Sequence, residues 1–93
     1  MKTIWKFPLG VADEQTIEMP QGAKVLAVQV QGEQVCVWVL VDPHADKERR
    51  TFYIVGTGHD LWDDWGRLRH LGTFQLRGGA LVFHVFEPPR DFR

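Results

Sequence analysis

The sequence predicts an all-β protein, a single small antiparallel β-sandwich or partly open barrel of about six to seven strands. Three observations predict it. Apolar residues recur with a period of two along most of the chain. Glycine- and proline-centred turn signals punctuate those runs at short intervals. No apolar pattern of period 3.6 is long enough for the helical crossover that an extensive parallel sheet requires.

The first strand is Thr3-Ile4-Trp5-Lys6-Phe7. Thr3, Trp5 and Phe7 fall on one side, with Lys2 and Lys6 on the other. Pro8 offers no N–H to a ladder, so it ends the strand or marks an edge. Asp13-Glu14-Gln15 forms a helical turn at most, and Gln15-Thr16-Ile17-Glu18 is a short second strand. Met19-Pro20-Gln21-Gly22 stops it, with Pro20 presetting φ at the first central turn position and Gly22 tolerating positive φ. In the third strand, Lys24 to Gln31, Leu26, Val28 and Val30 share one face, and Gln29 and Gln31 the other.

Gly32-Glu33-Gln34 is expected to be a three-residue hairpin loop leading into Val35 to Val41. That run, VCVWVLV, is apolar on both faces. It is therefore assigned to the middle of a sheet, covered from both sides. Asp42-Pro43 turns the chain, and Lys47, Glu48, Arg49 and Arg50 are expected in a solvated connection. Thr51 to Val55 is the fifth strand. Gly56 to Arg69 is the one long loop. Leu68 or Arg69 to Leu76 is the sixth strand, in which Gly72 marks a bulge or a close backbone approach. Arg77-Gly78-Gly79-Ala80 is a turn, and Leu81 to Phe86 is the last strand. Trp5, Trp38, Phe52, Phe74, Phe83 and Phe86 are assigned to the core.

Ninety-three residues fit one domain, taken as residues 1–87 followed by a polar tail over 88–93. Eleven Lys and Arg against twelve Asp and Glu give a formal charge of −1, which excludes a strongly basic nucleic-acid coat and a strongly acidic mimic. One cysteine, Cys36, excludes an internal disulfide and a Cys-cluster zinc site, and a reducing compartment follows as the simplest reading. No apolar run approaches the ~20 residues of a membrane helix, and no signal-peptide pattern opens the chain. Serine is absent, which removes serine-hydrolase chemistry.

The segments KTIWKF, QTIEMPQGAKVLAVQVQ, WVLVDP, RTFYIVGTGH, LGTFQ and GGALVFHVFE, taken in this order, resemble a family of small proteins of unknown function encoded by phages and prophage-bearing bacteria. The resemblance spans nearly the whole chain, apart from Asp60 to Arg69 and the tail after Glu87. It implies a cytoplasmic protein of an infected bacterium and brings no established chemistry with it. Binding a host macromolecule or sequestering a small effector is the habit of many compact phage accessory proteins, by analogy.

The residues themselves offer several candidate sites. His59-Asp60-Leu61-Trp62-Asp63-Asp64-Trp65 interleaves two tryptophans with three aspartates. Exposed tryptophans anchor protein contacts because each buries a large area at small entropic cost. Asp60, Asp63 and Asp64 would then orient a basic partner, whereas the bland alternative folds Trp62 and Trp65 back as a lid on the core. Asp63 and Asp64 as an acid–base pair is weak, since neighbours on an extended chain point apart.

Gly56-Thr57-Gly58-His59 would let backbone N–H groups approach an anion. It lacks a P-loop ending, and the alternative is a plain strand exit. A small anionic, nucleotide-like ligand would require it to converge with Arg67, Arg69 and Arg77. Basic residues gather at Lys47, Arg49 and Arg50 and again at those three arginines, which on neighbouring strands would form the positive strip of a single-stranded nucleic-acid binder. The net charge argues against that partner.

His44, His59, His70 and His84, with Asp42, Asp60, Asp63 or Asp64, are metal-ligand types. Zinc needs three or four donors converging at about 2 Å, and no helical or strand spacing here fixes such convergence. No metal or cofactor is expected. Cys36 reads as a buried, inert thiol. The resulting expectation is a non-enzymatic protein that binds a host protein through Asp60 to Trp65 and an exposed sheet edge. An unpaired edge would equally serve a homo-oligomer.

Overall fold

The computed structural model describes residues 1–61 and 63–89. Seven strands run in the order β1 (Thr3–Pro8), β2 (Glu14–Pro20), β3 (Lys24–Gln31), β4 (Gln34–Val41), β5 (Lys47–Gly56), β6 (Arg69–Leu76) and β7 (Leu81–Glu87). They form two antiparallel sheets, β1-β4-β3 and β2-β5-β7-β6. The predicted all-β class holds, as two separate sheets facing each other and not as a closed barrel. Among the described residues no helix is long and apolar enough to cross a membrane.

The core lies between the sheets. Val35, Val37, Val39 and Val41 of β4 meet Met19, Phe52, Ile54, Phe74 and Val85 there, all buried. Each contributes through alternation, one side chain in and the next out. Trp5, Phe7 and Phe83 pack at the margin of this cluster. β4 is the middle strand of its sheet. Its second face, carrying Cys36, Trp38 and Leu40, points away from the other sheet. It is not covered by a second layer among the described residues, and Trp38 and Leu40 stay half-buried beside Ile4, which is 54% exposed. Trp38 therefore stands outside the central cluster, contrary to expectation, and so does Phe86 of β7, whose ring meets His70 instead.

Other departures have local causes. A bulge between Val25 and Ala27 shifts the alternation of β3. Val25, Val28 and Val30 face inward, and Leu26 is turned out to 47% exposure. The β3–β4 loop holds only Gly32 and Glu33, because Gln31 pairs with Gln34. Gly32 has φ 65 and Glu33 does not share a positive φ, which is the type II′ pattern that suits the strand twist.

In the β2–β3 turn, Ala23 N–H donates to Pro20 O (3.2 Å) and Gly22 has φ 76. Pro20 thus occupies the first turn position, and Gln21 and Gly22 the central ones. Asp13-Glu14-Gln15 contains no helical turn, since Glu14 already pairs with Tyr53. Gly72 is both bulge and close approach. The β6–β7 register shifts between His70 and Gly72, and a Cβ on Gly72 would lie 2.8 Å from the Cβ of Val28. That approach lets β6 close the sandwich over β3.

The largest departure concerns Lys47–Arg50, expected as a loop. They extend β5 because β2 is long enough to pair with them, Glu18 opposite Arg49 and Ile17 opposite Arg50. Tertiary pairing overrides a local composition that alone reads as solvated.

Candidate functional site

Three regions carry the polar chemistry. The first follows β5. Thr57 N–H donates to Val82 O (3.0 Å) and His59 N–H donates to Gly56 O (3.1 Å), with Gly58 at φ 87. Gly56 to His59 is therefore a tight turn that continues the β5–β7 ladder before reversing. A Cβ on Gly56 would come within 3.0 Å of the His59 imidazole, so the glycine makes room for that ring. Two N–H groups that an anion cradle would use are already given to carbonyls.

Asp63–Arg67 then form a short 3-10 turn, followed by buried Leu68, whose N–H donates to Trp65 O (3.0 Å). Asp60, Asp63, Asp64 and Arg67 are exposed, and Trp65 is 50% exposed. Trp65 is not a lid on the core. Trp62 lies outside the described residues.

The second region is a polar chain on the outer face of the four-stranded sheet. The His84 imidazole is held at both nitrogens, with Nε2 2.7 Å from Thr57 Oγ1 and Nδ1 2.9 Å from Thr73 Oγ1. Thr73 Oγ1 also meets His70 Nε2 at 3.2 Å, and the His70 ring stands edge-on to Phe86. Two of the four histidines are thus neighbours through a threonine. Among the described residues no group of three or more His, Cys, Asp or Glu is placed to hold a metal ion. Cys36 is buried in β4.

The third region, which sequence reasoning missed, is an open notch at one end of the sandwich. Its volume is about 850 Å³, and its walls come from β3, β5, β6 and the chain after β7. Glu87 is the buried acid at its base, 3% exposed. The Arg50 guanidinium grips it in two-pronged fashion, Nε to Oε2 at 3.1 Å and Nη2 to Oε1 and Oε2 at 3.0 and 2.9 Å. Arg50 Nη1 donates across the sandwich to Ala23 O (2.8 Å). Arg69 Nη2 adds a bond to Glu87 Oε1 (2.8 Å) from a side chain that is 58% exposed. Lys24, Arg49 and His70 also line the notch.

The arginines singled out in sequence do not share one place. Arg69 opposes Glu87 at one end of β7, whereas Arg77 follows Leu76, which opposes Leu81 at the other. Eight residues of strand, roughly 25 Å, separate them. Gly56 opposes Phe83 and so lies toward the Arg77 end. Arg50 and Arg49, read as connection, belong to the notch with Arg69. Pro88-Pro89 was the one sequence signal for it, because a strand cannot donate hydrogen bonds through consecutive prolines.

Residues 1–92 match the family described as a domain of unknown function, DUF7352, and the chain belongs to that family. No curated protein and no solved structure matches it.

Proposed function

We propose that this DUF7352 chain is a non-enzymatic accessory protein of a phage or prophage that works in the bacterial cytoplasm by binding a host protein. The observation that carries the reading is Trp65, half exposed on a 3-10 turn that also displays Asp63 and Asp64. An indole left out of the core on a tight turn is a ready anchor, and the aspartates around it favour a partner with a basic rim. Steric occlusion of the partner is the mechanism. No chemistry on the partner is required.

The reading is tested with the immobilised protein and lysate of a bacterial host. A partner retained by the wild type and lost by Trp65→Ala, at unchanged melting temperature, supports it. Identical recovery by both proteins removes the turn as the contact surface.

The competing reading, a small anionic ligand at Gly56, Thr57, Gly58 and His59, receives less support. Arg69 lies at the far end of the sheet from that turn, and Thr57 and His59 have committed their N–H groups. Thermal-shift measurements with nucleotides separate the two, because a ligand that binds only the folded state raises the melting temperature.

A further inference from the structure

The notch is bordered by an unpaired stretch of strand. Ile54 N–H donates to Asp13 O, and Thr57 N–H donates to Val82 O. Along β5 the even-numbered residues therefore direct their backbone groups toward β2, and the odd-numbered ones toward β7. The β5–β7 ladder stops at Tyr53 opposite Phe86, while β5 itself runs back to Lys47. Pro88 and Pro89 follow β7 and line the notch instead of extending the ladder. Among the described residues nothing pairs with the β7-side edge at Thr51 and Arg49, although β2 covers their other side.

We propose that this edge is a strand-addition site for an extended acidic peptide segment of another protein. Backbone pairing with Arg49 and Thr51 supplies binding that tolerates many sequences, and alternate peptide side chains meet the notch walls. The charge selects the peptide. Glu87 is already saturated by Arg50 and Arg69. Arg69 contributes only Nη2 to it, and Lys24 and Arg49 form no ion pair among the described residues. The cations left over thus exceed the anions, with Glu48, near Arg50 Nη1 at 3.6 Å, the remaining carboxylate in the lining. Trp65 is not among the residues that line this surface, and the charge preferences of the two are opposite, so either can fail without the other.

The test uses the full chain with a fluorescein-labelled hexapeptide in which glutamate alternates with valine, and a control with lysine in place of glutamate. Anisotropy is expected to show the acidic peptide binding at least about tenfold more tightly than the lysine peptide. The Arg49 and Thr51 amides should gain protection from hydrogen exchange in its presence. Lys24→Gln/Arg49→Gln, at exposed positions outside the core, should weaken the acidic peptide about tenfold with the melting temperature nearly unchanged. Trp65→Ala should leave its affinity as it was.

Equal binding of the two peptides overturns the proposal. So does binding that leaves the Arg49 and Thr51 amides unprotected. A concentration-dependent dimer in sedimentation that excludes the peptide would assign the edge to a second copy, and it overturns the proposal as well.

Discussion

Arg50 and Glu87, far apart in sequence, form a nearly buried two-pronged ion pair, and the same guanidinium reaches Ala23 O at the start of the opposite sheet. Every oxygen of Glu87 is occupied. The pair thereby joins β5, β7 and the β2–β3 turn at one point.

Removing one partner is expected to cost more than replacing both. Glu87→Ala strands the Arg50 charge and should lose about 3 kcal/mol in urea denaturation. Arg50→Met/Glu87→Leu should recover more than half of that loss, because an apolar pair carries no desolvation penalty. Arg69→Gln, on the exposed side, should cost less than ~1 kcal/mol. A double variant no more stable than Glu87→Ala would contradict this account.

Gly72→Ala should destabilise the protein by about 1–3 kcal/mol, since the added methyl meets the Val28 side chain at 2.8 Å. Combining it with Val28→Ala should cost less than the sum of the two single changes, by at least about 0.5 kcal/mol. Strict additivity in equilibrium unfolding would show that the β3–β6 approach is looser than described.

Thr73→Val keeps the shape and removes the hydroxyl shared by His70 and His84. A loss of about 1 kcal/mol is expected. In nitrogen-15 spectra the His84 ring should change its tautomer balance, because Nδ1 loses its partner while Nε2 keeps Thr57. An unchanged His84 ring spectrum would count against the chain of contacts.

Trp65→Ala is expected to change stability by no more than about 0.5 kcal/mol, as for exposed positions generally. The fraction of tryptophan fluorescence that acrylamide quenches readily should fall. A large stability loss would mean that the indole belongs to the core after all.

The legible parts of this fold were those set by local alternation. Thr3, Trp5 and Phe7 on one side of β1, the apolar run of β4, and the glycine at the β6 bulge follow from neighbours in sequence. The outward turn of Leu26 did not, because a bulge is defined by the strand opposite. Lys47–Arg50 misled for a related reason. Their charges have a local look of solvent, whereas their partners are β2 and, for Arg50, Glu87 near the other end of the chain.

The site divides in the same way. Trp65 could be singled out from its own segment. The notch depends on where β7 stops relative to β5, a property of two strands together that only Pro88-Pro89 hinted at.

The strand order also bears on synthesis. Thr3 finds its partner at Val41 and Glu14 finds its partner at Tyr53, so the first two strands leave the ribosome with nothing to join. The β3–β4 and β6–β7 hairpins close locally, and the remaining pairings close long loops that slow the search. Lys2, Lys6 and Pro8 around the first orphan, and Glu14, Glu18 and Pro20 in the second, discourage pairing with neighbouring chains during that wait. The nascent polypeptide thus carries its own protection against clumping until Gly56 has emerged.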